Sequence, residues 1–345
     1  LGVDNSATRT FNNTIGVQNI ANATAAIVIG AANTAGGNTA IAMGRQSTAS
    51  GNFSIAQGNV AQASNTGAIA LGDSAFASGN SSIAIGSSAV GTNVLYAAST
   101  QALASGDFSI AFGQSAKATA IRTIAQGFSA TAQGNDSIAI GTGAVASGNR
   151  SISIGYGNTV SGNNSGAFGD PSIILGANSF SVGNNNTIGA TQTDVFALGN
   201  NITVTANNSV GLGSNAAMTT ALTASSGGTT AVSSGTVGTI TYGSFAGSTP
   251  VGVVSVGSVG AERRIQNVAA GLIGVSSTDA INGSQLYVGL SVGQSTIASL
   301  STSTSTGLST VNSAVASLST ATSTSISSDR SSIASLSTST STGLS

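Results

Sequence analysis

The sequence predicts an all-β head of stacked 14-residue coils, a parallel β-roll, followed by an α-helical stalk. Three observations predict it. Phrases like Asn80-Ser81-Ser82-Ile83-Ala84-Ile85-Gly86 recur, so that the closing glycines Gly30, Gly44, Gly58, Gly72 and Gly86, then Gly113, Gly127, Gly141, Gly155 and Gly169, stand fourteen apart within each run. Within each phrase, large and small apolar residues alternate with the period of a strand. After residue 290 this pattern gives way to apolar residues stepping by three or four.

The columns of the repeat have distinct chemistry. Six before the closing glycine stand Asn38, Asn52, Asn80, Asp107, Asn135, Asn149 and Asn163, each preceded by glycine. Gly-Asx marks a turn in which glycine supplies a positive φ and the Asx side chain serves backbone groups or its copy one coil away. The repeat with Asn65-Thr66 departs from it. Three and one before the glycine stand pairs such as Ile41/Met43, Ile69/Leu71, Ile83/Ile85, Ile110/Phe112 and Ile138/Ile140, expected inside the roll. Gln57 and Gln126 interrupt this line, and a buried glutamine needs partners for its amide. Segments such as Ala75-Phe76-Ala77-Ser78 and Ala116-Lys117-Ala118-Thr119 form a second short strand, with alanine facing the isoleucines. Two strands and two turns make one flattened coil, rising about 4.8 Å to the next.

Burying two large side chains per coil falls short of the entropy of ordering fourteen residues. The residue between the two large ones is expected to point outward, yet it is Ala42, Ala56, Ala70, Ala84, Ala111, Ala125 and Ala139, then Ser153 and Ala167. A small apolar outer column implies a close neighbour, so this column is the expected face between copies of the chain. The middle residue of the second strand varies instead: Thr48, Gln62, Phe76, Leu103, Lys117, Thr131, Val145 and Thr159. Variation within a strict repeat points to solvent, so that Phe76, Leu103 and Val145 are either part of an exposed contact strip along this column or scattered surface residues. Arg122, Asp136 and Arg150 share a column five before the glycine, and stacking turns them into a ladder of surface charges.

Two spacings are irregular. The 27 residues from Gly86 to Gly113 read as one regular and one shortened repeat, and after Gly169 come two steps of seven, to Gly176 and Gly183, then sixteen to Gly199.

Composition excludes more than it assigns. With no Cys and no His, thiolate and imidazole metal sites, cysteine nucleophiles and histidine bases are impossible. Charged residues are 5% of the chain and the net charge is −1, which leaves no basic field for nucleic acid. Gly is 47 of 345 residues with two Pro and no third-residue period, which excludes collagen. A β-solenoid lyase or hydrolase acting on carbohydrate needs clustered acids or a metal, whereas the eight Asp and one Glu fall mostly in different coils. Ice binding fails because threonine columns are short and irregular. No enzyme activity and no cofactor are expected. No apolar run is long enough to span a bilayer, no signal peptide is legible, and both ends lie in low-information sequence, so the chain reads as a fragment.

Beyond Ala216 the period stops; Thr229 to Ile240 reads as an extended hairpin or loop, and Thr239 to Gly247 and Val251 to Val259 as strands. The phrases Ile265-Gln266-Asn267-Val268-Ala269-Ala270-Gly271 and Ser277-Thr278-Asp279-Ala280-Ile281-Asn282-Gly283-Ser284-Gln285-Leu286-Tyr287 follow. With the upstream repeats, they resemble the head and neck of trimeric autotransporter adhesins of Gram-negative bacteria, the YadA-like group. Ile281 departs from the valine usual there.

The resemblance implies a left-handed roll in each subunit, three rolls around one axis, and a neck whose strands cross between subunits onto a trimeric coiled coil. It divides the chain into a head at 1–213, an insert or β-rich transition at 214–261, a neck at 262–290 and a Ser/Thr-rich stalk at 291–345. The neck residues carried over are Asn267, Asp279, Asn282, Gly283, Gln285 and Leu286. It further implies a homotrimer on the bacterial surface, held in the outer membrane by a part of the protein not included here. The fragment itself would not enter a membrane, and its ligands would be host-cell or extracellular-matrix components.

The stalk follows from spacing. Ile297 to Ser309 recurs verbatim at Ile333 to Ser345, 36 residues on, with Val315 to Leu318 halfway. Eighteen residues over five turns is near the unstrained helical repeat, so the coiled coil is expected to be nearly straight. Its seam is Ile297, Leu300, Leu308, Val311, Val315, Leu318, Ile333 and Leu336, with Thr304 and Thr322 between. Ser/Thr tracts are poor helix formers, so the helix should depend on assembly; a disordered or glycosylated stalk is the rival.

Overall fold

The computed structural model describes residues 2–87 and 100–343. They form two units, 1–264 and 265–345. In the first, each coil gives a strand of three to five residues running up to or through its closing glycine, such as Ile41–Arg45 or Ile83–Ile85, and a two-residue strand such as Phe76–Ala77. Copies stack into two parallel sheets of fifteen strands each, one of the long strands and one of the short. Register is coil on coil: Ile69, Ala70 and Leu71 pair with Ile83, Ala84 and Ile85, and Phe76 and Ala77 with Leu103 and Ala104.

The alternation is as expected, but its sense is reversed. Ala42, Ala56, Ala70, Ala84, Ala111, Ala125 and Ala139 are fully buried inside the roll. Their large neighbours, Ile83 and Ile85 among them, lie on the outer face and are only half-buried. The alanine column is therefore not a face between copies. A period of two divides a strand into two faces without saying which is inside; the closeness of the second sheet decides it. Facing sheets inside one coil leave room for small side chains only, as in the layer of Thr123, Ala125, Ala130 and Ala132, all fully buried. Alanine thus meets alanine across the roll, and the short strand does not face the isoleucines.

The interior has two parts. From Ala21 to Ala146 the buried cluster is alanine apart from Val28. From Val160 to Met218 it includes Ile174, Ile188, Val195, Val204 and Met218.

Both turns of the coil need glycine, for different reasons. Gly44 has φ 119° and a side chain on it would run into the carbonyl of Gly58. Gly37 has no positive φ; its substituent would run into the carbonyl of Gly51. At the Gly-Asx turn the positive φ falls one residue after the Asx, at Phe53 (60°), Ser81 (51°) and Arg150 (56°). Glycine is there for the close stacking of coils, not for backbone freedom. The Asx oxygen bridges coils: the backbone N–H of Asn38 donates to Oδ1 of Asn52 (2.9 Å), and that of Asn135 to Oδ1 of Asn149 (3.0 Å).

The irregular spacings leave the roll intact. Ile83 pairs directly with Ile110, so the 27 residues from Gly86 to Gly113 are a single coil with added residues, of which 88–99 lie outside the described residues. Gly176 is not a closing glycine. It occupies the Gly-Asx position above Gly162, and the strands at 166–168 and 180–182 keep the fourteen-residue step. Only the next coil, to 196–198, takes sixteen.

Past Gly213 the roll gains one more strand in each sheet. Ala217–Met218 joins the short-strand sheet, the chain departs through an antiparallel hairpin of Ser234–Val237 with Ile240–Gly243, and Val254–Ser255 returns beside Val210 and Gly211. Arg263 covers this end, its Nη1 donating to the carbonyl of Val256 (2.7 Å) and its Nη2 to that of Ser214 (2.6 Å).

In the second unit residues 265–282 contain neither strand nor helix, and a single helix runs from Gly283 to Gly343. None of its described side chains is buried. Its threonines fold back, Thr304 Oγ1 donating to the carbonyl of Leu300 and Thr322 Oγ1 to that of Leu318, both at 2.9 Å. Bonding to the residue four before lets a hydroxyl-rich helix satisfy its own side chains without a partner.

The neighbours Gly36 and Gly37 separate close stacking from backbone freedom. A β-carbon at Gly36 meets nothing nearer than 3.7 Å, whereas one at Gly37 has no room. Gly36→Ala should leave the thermal midpoint within about a degree or two, and Gly37→Ala should cost about 1–3 kcal/mol, the range for forced overpacking. Circular dichroism melts of the two variants check this.

Candidate interaction surfaces

With its interior filled by small residues, the roll presents its chemistry outside. The outer face of the long-strand sheet is a continuous line of large apolar side chains, half-exposed from Ile15 (44%) through Phe112 (49%) to Leu198 (44%). Gln57 and Gln126 lie in this line and are exposed, so they make no demand for buried partners.

On the other sheet Thr48, Gln62, Phe76, Leu103, Lys117, Thr131, Val145 and Thr159 are half-buried and alternate with fully buried alanines, or Val160 in the last pair. They share the outer side of that sheet, one per coil, in register.

The turn after the closing glycine holds a feature that sequence reasoning missed. Asn33 is fully buried, and its Nδ2 donates to the carbonyls of Ile29 (3.0 Å) and Gly44 (2.7 Å) while its Oδ1 accepts from the N–H of Ser47 (2.9 Å). Asn158 repeats this with Ile154, Gly169 and Ser172. The signal was present as polar residues three after Gly16, Gly30, Gly44, Gly155 and Gly169. Alanine holds that place in Ala116, Ala130 and Ala144, which hides the column.

Along the outer edge, side chains form ladders from coil to coil. Arg122 makes a two-point contact with Asp136, Nη2 to Oδ2 at 2.9 Å. Arg150 donates to Oδ1 of Asn164 (2.6 Å), Asn164 to Asn178 (3.1 Å) and Asn178 to Asp194 (3.1 Å). The hydrogen bond from Arg122 holds the Asp136 carboxyl below the usual carboxylate range; desolvation opposes this, and the charges of Arg122 and Arg150 add smaller lowering contributions.

A cleft of about 440 Å³ at the end of the roll is bordered by Ala217, Val253–Gly257, Glu262 and Arg263. Its carboxylate, Glu262, already accepts from the N–H of Gly260 (2.8 Å). Among the described residues no group of three His, Cys, Asp or Glu could hold a metal.

In the second unit, four of the six residues singled out in the neck meet at the start of the helix. Asn282 and Gln285 cap each other: Oδ1 of Asn282 accepts from the N–H of Gln285, and Oε1 of Gln285 from the N–H of Asn282, both at 3.2 Å. Gln285 also exchanges two bonds with Gly271, and Asn282 reaches the carbonyl of Val268 (3.1 Å). Asp279 accepts from the N–H of Leu272 (2.9 Å), and Gly283 is the first helical residue. Asn267 is at φ 59°, and the exposed Leu286 joins only through its backbone N–H, which donates to the carbonyl of Asn282 (3.3 Å).

Comparison with known families matches two parts of the chain. The family model for the YadA head domain repeat matches residues 35–61, 63–93, 100–116, 104–125, 118–144 and 146–170, and that for the coiled stalk of trimeric autotransporter adhesin matches 264–338. Together they cover more than half of the chain. The chain belongs to the YadA-like trimeric autotransporter adhesins.

Among solved structures this adhesin is similar to the C-terminal YadA-like domain of BPSL2063 from Burkholderia pseudomallei, at 42% identity over 38% of the chain and 47% of that domain, with a TM-score of 0.25. The adhesin thus spans about half of that domain's length. No curated protein matches it. Adhesins of this family are non-enzymatic homotrimers, exposed on the cell surface and anchored in the outer membrane. No described helix of this chain is long and apolar enough to cross a membrane.

Removing the Asn158 amide strands two carbonyls and an N–H inside the roll. Asn158→Ala should therefore cost about 2–3 kcal/mol, the penalty for unsatisfied buried groups, read as a lower midpoint in thermal melts. The Arg122–Asp136 ladder is exposed and predicts a different signature. A lowered folded pKa contributes stability above the unfolded carboxylate value of about 3.9, and that contribution disappears as pH falls through the folded value. Asp136→Asn should melt slightly below the parent at pH 6 in low salt and level with it at pH 2, with the gap narrowing in high salt.

Proposed function

We propose that this chain is the head and upper stalk of a surface adhesin, acting as a homotrimer whose three rolls meet through the large apolar residues of the long-strand sheet. What carries the reading is the continuous outer line that contains Ile83, Ile85, Ile110, Phe112, Ile138 and Ile140. An exposed apolar stripe of that length exceeds what a lone soluble chain tolerates. The helix supports it with a second unpartnered line, in which Ile297, Leu300, Val315 and Leu336 are each more than half exposed. Assembly adds the burial that an interior of alanine cannot supply, and three helices bring their lines together as a trimeric coiled coil.

In this arrangement the stalk holds the head away from the cell, and the head attaches to host cells or extracellular matrix. The short-strand face, with the strip from Thr48 to Thr159, is the surface left for ligands. A contact repeated once per coil, on each of three subunits, gives multivalent attachment without a strong single site.

Light scattering of the whole chain should return the mass of three chains, and Ile83→Cys, the only thiol present, should react with a thiol reagent only after the assembly is dissociated. Beads coated with the whole chain should adhere to matrix-coated surfaces, and beads carrying only 265–345 should not. A single-chain mass would end the assembly reading, and equal adhesion of the two beads would remove the head from the role.

A further inference from the structure

The residue five before the closing glycine has a left-handed backbone in coil after coil, a conformation that disfavours bulky side chains. Three of these positions nevertheless carry phenylalanine: Phe11, Phe53 and Phe108, at φ 62°, 60° and 59°. They are among the most exposed apolar side chains of the roll, at 87%, 64% and 60%. They are also evenly placed. Between Phe11 and Phe53 the same column holds Ala25 and Thr39, and between Phe53 and Phe108 it holds Gly67 and Ser81. Each ring is therefore three coils from the next, roughly 14 Å at the spacing of neighbouring strands, and stands above a floor of small residues. After Phe108 the column becomes charged and amide-bearing, and its side chains tie one coil to the next as the ladders of Arg122 and Arg150.

We propose that Phe11, Phe53 and Phe108 form a binding edge for an extended, uncharged, β-linked glycan. The inference rests on the adhesin reading and names a ligand class for it. A flat phenyl face accepts the apolar face of a sugar ring, and a row of such faces at a constant interval suits a straight polymer better than a compact ligand. The interval accommodates a few sugar units. In each gap a hydroxyl, Thr39 or Ser81, and an Asx side chain of the neighbouring column, Asn38 or Asn80, offer hydrogen bonds to sugar hydroxyls. The ring column carries no charge up to Phe108, and the neighbouring column adds the carboxylate of Asp107 beside it, which favours a neutral chain over an acidic one.

Affinity electrophoresis of the whole chain through gels containing hydroxyethylcellulose tests this. The protein should be retarded, and 0.5 M salt should leave the retardation unchanged. Replacing all three rings by serine, which the same column accepts at Ser81, should weaken it at least tenfold, while the three Phe→Tyr changes should keep it. Absence of retardation, or equal retardation of the serine variant, overturns the proposal. So does a fall in assembly mass in that variant, which would assign the rings to contact between copies. Adhesion of the coated beads without retardation by glycan would sink this inference and leave the adhesive reading standing.

Discussion

The structure depends on how closely two sheets and successive coils approach. A fourteen-residue coil closed by two tight turns sets its two strands face to face with room only for alanine, serine and threonine between them over most of the roll. At the turns the approach is closer still, so that Gly37 and Gly44 have no space for a β-carbon. From Ala21 to Ala146 the large side chains are therefore pushed outward. The isoleucines of the repeat line its outer face and stay half-exposed there.

That inversion leaves a protein with so little charge and so few aromatics short of buried apolar surface within a single chain. An alanine interior gives little transfer free energy per residue, and repeat proteins draw their stability from neighbouring units. Within the chain those neighbours are coils, held by ladder hydrogen bonds, Asx bridges and buried asparagines such as Asn33 and Asn158. Between chains the outer isoleucines are suited to the same role. The helix follows the same logic with different geometry, since its hydroxyls are satisfied internally while Ile297, Leu300 and their successors stay exposed.

The consequence for function is that the roll offers repeated edges and faces along its length. Its carboxylates sit one per rung, and Asp136 is held by an arginine one coil below. Such a scaffold suits many weak contacts at constant spacing, as an adhesive surface requires. At the exposed phenylalanines a bulky apolar side chain is kept in a left-handed turn.

Periodicity is a property of the chain itself, so the sequence alone determined the coil length, the strand and turn positions, the Asx bridges, the charge ladder at Arg122 and Asp136, the helical spacing after Ile297 and the family. It did not determine which face of each strand is inside. A two-residue period is blind to direction, and the rule that larger apolar residues are buried fails when the opposing sheet is too near; Ala84 and Ile83 were exchanged for that reason. Nor could spacing show that Gly176 belongs to the Gly-Asx turn, that Val254–Ser255 returns to the roll after a long excursion, or that Asn158 is buried. These depend on which coil lies beside which, and only the tertiary structure places a residue against neighbours that are distant in the chain.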